Sequence, residues 1–235
     1  KSRTLEVASA NWHATAALLT RRYADALLVD IGTTTTDLIP IKAGGVAARG
    51  ATDAERLTEG ELLYTGVVRT AVMAVAHSAP LKGRVQHIAA ERFATMADVW
   101  RLTGDLPDDA DLYPSADQRG KSGPESAARL ARMLGRDASE AELGEWVALA
   151  RYFADCQIAE IEHAARGLAE RVALPQDAPV IGAGCGRFVA RSLAERLGQP
   201  YLDFAEIVDA APEAREMAAR CAPAVAVALL AATGE

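Results

Sequence analysis

The segment LLVDIGTTTTDLIPI, at positions 27–41, places four consecutive threonines between two aspartates, directly after an apolar run. Backbone N–H groups and hydroxyls at a turn after a strand are donors that phosphate oxygens accept. Asp30 and Asp37 would repel a phosphate unless Mg²⁺ lay between carboxylate and phosphate. The segment therefore predicts a metal and phosphate site in which Asp30 and Asp37 organise Mg²⁺. The residues predicted to hold phosphate oxygens are Gly32, Thr33, Thr34 and Thr35.

A plainer interpretation of the same segment is a threonine-rich hairpin turn that Asp37 caps. Threonine is a good strand former, so the run alone is compatible with both interpretations. A second loop favours the phosphate site.

This second loop lies in PVIGAGCGRF, at positions 179–188, where an apolar run leads into alternating glycines and then a helical pattern. Such a loop lets the backbone approach a ligand closely, although simple packing of strand against helix is an equal alternative. The spacing is not that of a dinucleotide-binding fingerprint. Because both loops follow strands, we expect them to face one cleft. The residues predicted to contact a nucleotide or substrate are Gly182, Ala183, Gly184 and Gly186.

Composition excludes several classes of function. Of 235 residues, 50% are hydrophobic, which is enough for a substantial core, and the net charge of −7 argues against nucleic acid as a partner. Three cysteines without metal-ligand spacing predict a protein of the reducing cytoplasm. No apolar stretch approaches the roughly twenty residues of a membrane span, and no signal peptide opens the chain. The first residue is Lys1, so we expect that the natural start is missing.

Hydrophobic periodicity predicts a chain that contains both helices and strands, with a helical subdomain between the two loops. Three regions are expected: 1–106 with the threonine loop, 107–170 as loop and helical insertion, and 171–235 with the glycine loop and a C-terminal helix. The predicted helices are 8–22, 53–59, one that ends at Gly104, 125–134, 140–156, 157–170 and an alanine-rich one near the end. The predicted strands are the runs before and after the threonines, an extended piece at 67–75, and those beginning near 179 and 199.

The two loops resemble known motifs. DIGTTTTD resembles the second phosphate loop of the actin, sugar-kinase and heat-shock-chaperone ATPase superfamily, and VIGAGCG resembles its adenosine loop. Within that superfamily the chain is similar to the hydantoinase/oxoprolinase-like family. The segments that carry this similarity are ANWHATA, LLVDIGTTTTDLIPI, TDAERLTEGELLYTGVVRT, AERFATMADVWRLTGDL, ADQRGKS and RLARMLGRD.

This resemblance implies the actin-like ATPase (ribonuclease H-like) fold, which is an α/β fold with a mixed sheet, flanking helices and a helical insertion. The superfamily begins with a first phosphate loop, and nothing before Asp30 matches it. We therefore expect that a first lobe is missing, and that it is supplied by the same protein or by another chain. The surface that would meet this lobe could also support a homodimer.

The resemblance also implies an activity, in the branch of the family that serves methanofuran-type cofactors of tetrahydromethanopterin-linked one-carbon metabolism. It is a transferase that joins an aminomethylfuran diphosphate to the phenol of a glutamyl-tyramine-like acceptor and releases diphosphate. Arg69 would stabilise the leaving group, and Glu61 or Tyr64 would orient the acceptor. A surface ion pair at Arg69 and a core position for Tyr64 are the plainer alternatives.

Other functions remain open at this point. A phosphate loop does not distinguish ATP from another diphosphate, so an ATP-dependent hydrolase or small-molecule kinase is the first alternative, and a nucleotide-binding scaffold is the second. ATP is compatible with the leading interpretation, which does not require it. Glu91 and Asp98, seven residues apart, are expected on one helix face, as further ligands or as capping and solvated groups.

Overall fold

The computed structural model describes residues 11–233. Its α-helices are α1 (Asn11–Thr20), α2 (Asp53–Thr58), α3 (Val72–Val75), α4 (Met96–Thr103), α5 (Gly123–Met133), α6 (Leu143–Arg171), α7 (Arg187–Leu197), α8 (Phe204–Ile207), α9 (Arg215–Arg220) and α10 (Ala222–Ala232). Its strands are β1 (Ala26–Ile31), β2 (Thr36–Lys42), β3 (Gly45–Val46), β4 (Leu62–Leu63), β5 (Ser78–Leu81), β6 (Arg84–His87), β7 (Val180–Ala183) and β8 (Tyr201–Asp203).

The described chain forms two compact units. The first contains the residues up to Leu63 and those from Ile161 onward, and the second contains Tyr64–Glu160. The long helix α6 therefore contributes to both. The three-region division expected from the sequence stays a prediction.

The first unit is built on a mixed sheet with strand order β3-β2-β1-β7-β8, and β4 also pairs with β2. Strand β1 is antiparallel to β2 and parallel to β7, which in turn is parallel to β8. This arrangement confirms the predicted α/β class with a mixed sheet and flanking helices. The sequence of the central strand β1 is a nearly continuous run of apolar residues, because both faces of the strand are buried.

One face of the sheet packs on α1 and the C-terminal helices. Leu28 and Ile39 form a core there with Ala16 of α1, Phe204 of α8 and Ala222 of α10. Successive strand side chains alternate between faces, so Leu27 and Val29 belong to the opposite face. The core thus fixes the position of the C-terminal end of β1, which includes Asp30.

The second unit is largely helical and contains a buried polar network. Arg129 of α5 is fully buried, and its Nε donates to Asp98 at 2.8 Å. Its Nη1 donates to Asp117 at 3.0 Å and to the carbonyl of Gly120. A buried guanidinium needs such partners, so this network holds the polar loop between α4 and α5 against both helices.

Several predicted elements need correction. The extended piece at 67–75 is wrong, since it is a loop followed by the short helix α3. The helices predicted at 140–156 and 157–170 are one helix, α6, because no helix breaker separates them. The alanine-rich C-terminal helix is interrupted at Cys221, ahead of Pro223, which suits a first helical turn.

Two further predictions about helices are affected. Glu91 lies outside a helix, because α4 begins at Met96, where Thr95 and Asp98 form a capping box. Glu91 and Asp98 therefore do not share a helix face. The first three residues of the helix predicted at 8–22 lie outside the described residues, and α1 accounts for its centre.

Candidate active site at the carboxyl edge of the sheet

The threonine loop and the glycine loop adjoin at one edge of the sheet. Strands β1 and β7 run parallel, and Asp30 is the register partner of Ala183. Beyond the strands, the N–H of Gly186 donates to the carbonyl of Ile31 at 2.8 Å. Parallel neighbouring strands bring the loops at their carboxyl ends together, as the sequence indicated.

Asp30 and Asp37 lie directly opposite each other on β1 and β2, so their carboxylates project from the same face. Asp37 is held by Arg56, whose Nη1 is 2.7 Å from Oδ1. Arg56 is almost fully buried, and its Nη2 also donates to the carbonyl of Glu61 at 3.1 Å. Within residues 11–233, no hydrogen bond to the Asp30 carboxylate is found.

This asymmetry has an electrostatic consequence. Burial, together with the nearby charge of Asp37, raises the pKa of Asp30 to about 7. Burial also raises the pKa of Asp37, while Arg56 opposes that change. Burial and the charge of Asp30 raise the pKa of the Cys185 thiol to about 11, so this thiol is not an activated nucleophile. Asp30 is thus a half-buried acid without a cation partner among the described residues.

The threonine loop presents donors beside Asp30. The N–H of Gly32 donates to the carbonyl of Thr35 at 2.9 Å, which closes the loop. The hydroxyls of Thr33 and Thr34 lie 3.4 Å apart, and all four loop residues are half-buried. In the part of the chain that the structure describes, no hydrogen bond occupies the N–H groups of Thr33–Thr35. Hydroxyl and amide donors are therefore available to an anion at this position.

The glycine loop uses its own donors internally. The N–H of Gly184 donates to the carbonyl of Ala219 at 2.8 Å, and that of Gly186 is taken by Ile31. A Cβ at Gly182 would lie 2.5 Å from the hydroxyl of Tyr201, so small residues are needed for packing. Ala183 is buried in β7. Direct ligand binding by this loop stays a prediction, and its observed role is to hold the end of β1.

Glu61, another predicted site residue, makes no hydrogen bond or ion pair with Asp30 among the described residues. Glu61 is fully buried, and its carboxylate accepts from the N–H groups of Arg49 at 2.8 Å and Gly50 at 3.0 Å and from Arg171 at 2.8 Å. Its carboxylate is thereby fully engaged in holding the fold. An acceptor-orienting role for Glu61 stays a prediction.

Tyr64 and Arg69 belong to the second unit. Tyr64 is 61% exposed, so the alternative that it is a core residue is wrong. The guanidinium of Arg69 stacks on the ring of Tyr113, 5.0 Å from its centroid. No ion pair to Arg69 is found in the described range 11–233, in contrast to the alternative of a surface salt bridge.

The donor set fits a magnesium ion only in part. Among the residues described, no group of three or more His, Cys, Asp or Glu side chains could hold a metal. Mg²⁺, however, is commonly bound by one or two carboxylates together with phosphate oxygens. Asp30 has a carboxylate free for this role, whereas Asp37 shares its carboxylate with Arg56. As for membranes, none of the helices within 11–233 combines the length and apolar character of a span.

Sequence analysis missed the residues that surround Asp37. The guanidinium of Arg56 lies 4.1 Å from the ring centroid of Trp12 on α1. The indole Nε1 of Trp12 and the hydroxyl of Thr15 are buried without a hydrogen-bond partner among the described residues. No local pattern signals Arg56, since its partner carboxylate is nineteen residues away along the chain.

Fold and site together define an α/β protein that places a pair of carboxylates and a hydroxyl-rich loop at one sheet edge. The family model described as Hydantoinase/oxoprolinase matches residues 1–231. The chain belongs to the hydantoinase/oxoprolinase family.

Two archaeal relatives share sequence with this chain, and both are named (4-{4-[2-(gamma-L-glutamylamino)ethyl]phenoxymethyl}furan-2-yl)methanamine synthase. The protein from Methanocaldococcus jannaschii is 35% identical over 138 residues, which are 58% of this chain and 42% of the relative. That from Methanococcus vannielii is 31% identical over 124 residues, 53% of this chain and 55% of the relative. The chain thus spans about half the length of the curated relatives it matches.

One solved structure has a weak likeness to the whole chain. It is component A of the (R)-2-hydroxyglutaryl-CoA dehydratase of Acidaminococcus fermentans, at a TM-score of 0.40 and 14% identity. The superposition covers 94% of this chain and 66% of that one. Likeness at this level does not define the fold.

The stability of the protein should depend on pH through Asp30. Its pKa is raised in the folded state above the ordinary value of 3.8, so the folded protein binds more protons than the unfolded chain between about pH 4 and 7. Stability therefore falls as pH rises through this window and is level above it. We expect Asp30→Asn to be more stable than wild type by about 4 kcal/mol at pH 8, and by almost nothing at pH 3.5. Urea unfolding across this range measures the difference, and a constant difference at every pH would contradict it.

Proposed function

We propose that the protein is a transferase that joins an aminomethylfuran diphosphate to the phenol of a glutamyl-tyramine-like acceptor, in methanofuran-type biosynthesis. The observation that supports it most is Asp30, half-buried and without a partner among the described residues, beside the free donors of Thr33–Thr35. Both relatives are named for a furanylmethanamine product with a phenoxymethyl linkage. The proposal includes the actin-like fold of the family and a second lobe that completes the cleft.

The proposed reaction transfers the furylmethyl group from diphosphate to a phenol oxygen. The bond between the furylmethyl carbon and the diphosphate oxygen breaks, and its electron pair leaves on diphosphate. The phenol oxygen forms the new ether bond to that carbon and loses its proton to solvent. Negative charge thus develops on the leaving diphosphate, and donors that are already in place for that charge lower the barrier.

The threonine loop would serve as the anion-binding part of this site. Hydroxyls of Thr33, Thr34 and Thr35 and their N–H groups would donate to diphosphate oxygens, while the Gly32 to Thr35 hydrogen bond keeps the loop closed. The half-buried position of the loop beside β1 reduces its contact with water, which strengthens these interactions. Tyr64 and Glu61 remain candidates for orienting the acceptor.

Asp30 is the residue that fits a magnesium ion, with Asp37 as the second carboxylate. When bound, Mg²⁺ would neutralise charge on the diphosphate oxygens. An ionised Asp30 is required for that contact, so the cation would favour release of the Asp30 proton near neutral pH. Arg56 opposes the effect of burial on the pKa of Asp37 and orients its carboxylate.

The proposal is tested by incubating the protein with an aminomethylfuran diphosphate, γ-glutamyl-tyramine and Mg²⁺. We expect equal amounts of ether product and diphosphate, detected by mass spectrometry and a diphosphate assay, without any need for ATP. Omitting the acceptor should reduce diphosphate release to a slow hydrolysis. If the naturally occurring protein forms no ether product in this assay, the proposed transferase activity is wrong.

The family description favours one other function, an ATP-dependent hydrolase, since the matching model is called Hydantoinase/oxoprolinase. The same assay distinguishes it. Release of phosphate from ATP that depends on a cyclic amide such as hydantoin or 5-oxoproline, without product from the diphosphate, would support the hydrolase.

A further inference from the structure

The second unit contains a cleft in which two arginines lack a carboxylate partner. Arg69 and Arg92 line this cleft together with Arg101, Asp111 and Tyr113. Arg69 stacks on Tyr113, and Arg92 is exposed with no ion pair to its guanidinium among the residues described. The volume of the cleft is ≈ 10 Å³, no more than a single water-sized group occupies, so a larger ligand group would lie on the exposed surface formed by the two arginines.

The acidic residues of the cleft do not balance these two charges. Asp111 already binds Arg101 at 2.7 Å and Lys121 at 3.2 Å. Asp98, also in the lining, is bound by Arg129 at 2.7 Å. Each carboxylate is thus neutralised by another cation. The guanidinium groups of Arg69 and Arg92 remain as uncompensated positive charge in a chain whose net charge is −7.

The loop that carries Arg69 is held by buried hydrogen bonds. Gln157 of α6 donates to the hydroxyl of Thr65 at 2.9 Å and to the carbonyl of Gly66 at 3.0 Å. The N–H of Gly66 donates to the hydroxyl of Thr70 at 2.8 Å. These buried hydrogen bonds hold the backbone of the loop, so the backbone of Arg69 has a defined position. Donors that are held in place before binding bind an anion at a lower entropic cost.

A second cleft continues from the first. It shares Tyr113, Pro114 and Ser115 with the first cleft and adds Leu112, which is 84% exposed. Its volume is ≈ 560 Å³, enough for an aromatic ring. The combined surface places a pair of cations at one end and exposed apolar and aromatic side chains at the other.

We propose that this pair of clefts binds the acceptor, with its carboxylate on Arg69 and Arg92 and its aromatic ring against Tyr113 and Leu112. Arginine binds carboxylates through two parallel hydrogen bonds, which gives both strength and orientation. The choice of a glutamyl-tyramine-like acceptor rests on the proposed function. The clefts themselves require only an aromatic ligand with a carboxylate.

The test uses binding of γ-glutamyl-tyramine and of tyramine, which lacks the carboxylate, measured by calorimetry. We expect wild type to bind γ-glutamyl-tyramine at least about tenfold more tightly than tyramine. Arg69→Ala and Arg92→Ala should each remove most of that preference and leave tyramine binding unchanged. Tyr113→Ala should weaken both ligands. Arg151→Ala is the matched control, since Arg151 is an exposed arginine of the same unit outside both clefts.

Circular dichroism establishes that the variants fold, which is expected because Arg69 and Arg92 are exposed. Equal binding of the two ligands by wild type, no binding of either, or a preference kept by both arginine variants would overturn the proposal. Whether the protein catalyses the transferase reaction is tested separately from acceptor binding. If the protein prefers γ-glutamyl-tyramine but forms no ether, the clefts bind an aromatic acid and the proposed reaction is wrong. If the protein forms the ether without that binding preference, the proposed reaction stands and the proposed acceptor site is wrong.

Discussion

Asp30→Asn is expected to lower turnover by about a thousandfold while the protein becomes no less stable. The substitution keeps the volume of the side chain and removes the only carboxylate of the pair that lacks a cation, since Asp37 is already bound by Arg56. Loss of a charge that organises a metal and a leaving diphosphate corresponds to roughly 4 kcal/mol of transition-state stabilisation. Steady-state kinetics of ether formation measures the loss.

The control for this prediction is Asp25→Asn. Asp25 lies just before the other end of β1, where it pairs with Lys42 at 3.2 Å on a partly exposed surface. We expect less than a twofold change in turnover there, because such a pair contributes little. If Asp30→Asn kept full turnover but unfolded more readily than wild type, Asp30 would be a structural residue and the metal site would lie elsewhere.

Gly184→Ala is expected to cost about 4 kcal/mol of stability and to abolish ligand binding at the sheet edge. The backbone of Gly184 has φ of +82°, and an added Cβ would lie 2.2 Å from the carbonyl oxygen of Ile31 and 2.5 Å from Oδ1 of Asp30. The left-handed conformation costs about 1–2 kcal/mol for alanine, and overpacking against backbone adds about 1–3. The methyl group would also displace the end of β1, which carries Asp30.

The matched control is Gly44→Ala, since Gly44 has φ of +74° with nothing within 4 Å of an added Cβ. This variant shows the conformational cost alone, about 1–2 kcal/mol. Urea unfolding of both variants separates the steric part from the conformational part. Equal losses at the two positions would show that the glycine loop does not approach β1 closely in solution.

The sequence by itself determined the local elements of this protein. The continuous apolar run of β1 predicted a strand buried on both faces, and the glycines at 182–186 predicted the turn from β7 into α7. It also predicted that the threonine and glycine loops would adjoin, because both follow strands. These features depend on the spacing of apolar residues and on the backbone conformations that glycine allows, and both are local properties of the sequence.

Only the tertiary structure decided how the charged groups of the site are partnered. The sequence treats Asp30 and Asp37 alike, yet the fold brings buried Arg56 to Asp37 and leaves Asp30 with a pKa near 7. It likewise commits the carboxylate of Glu61 to Arg171, 110 residues away along the chain. Pairings over such separations depend on which helices cover the sheet, and desolvation depends on everything packed around a group, so neither is encoded in a local pattern.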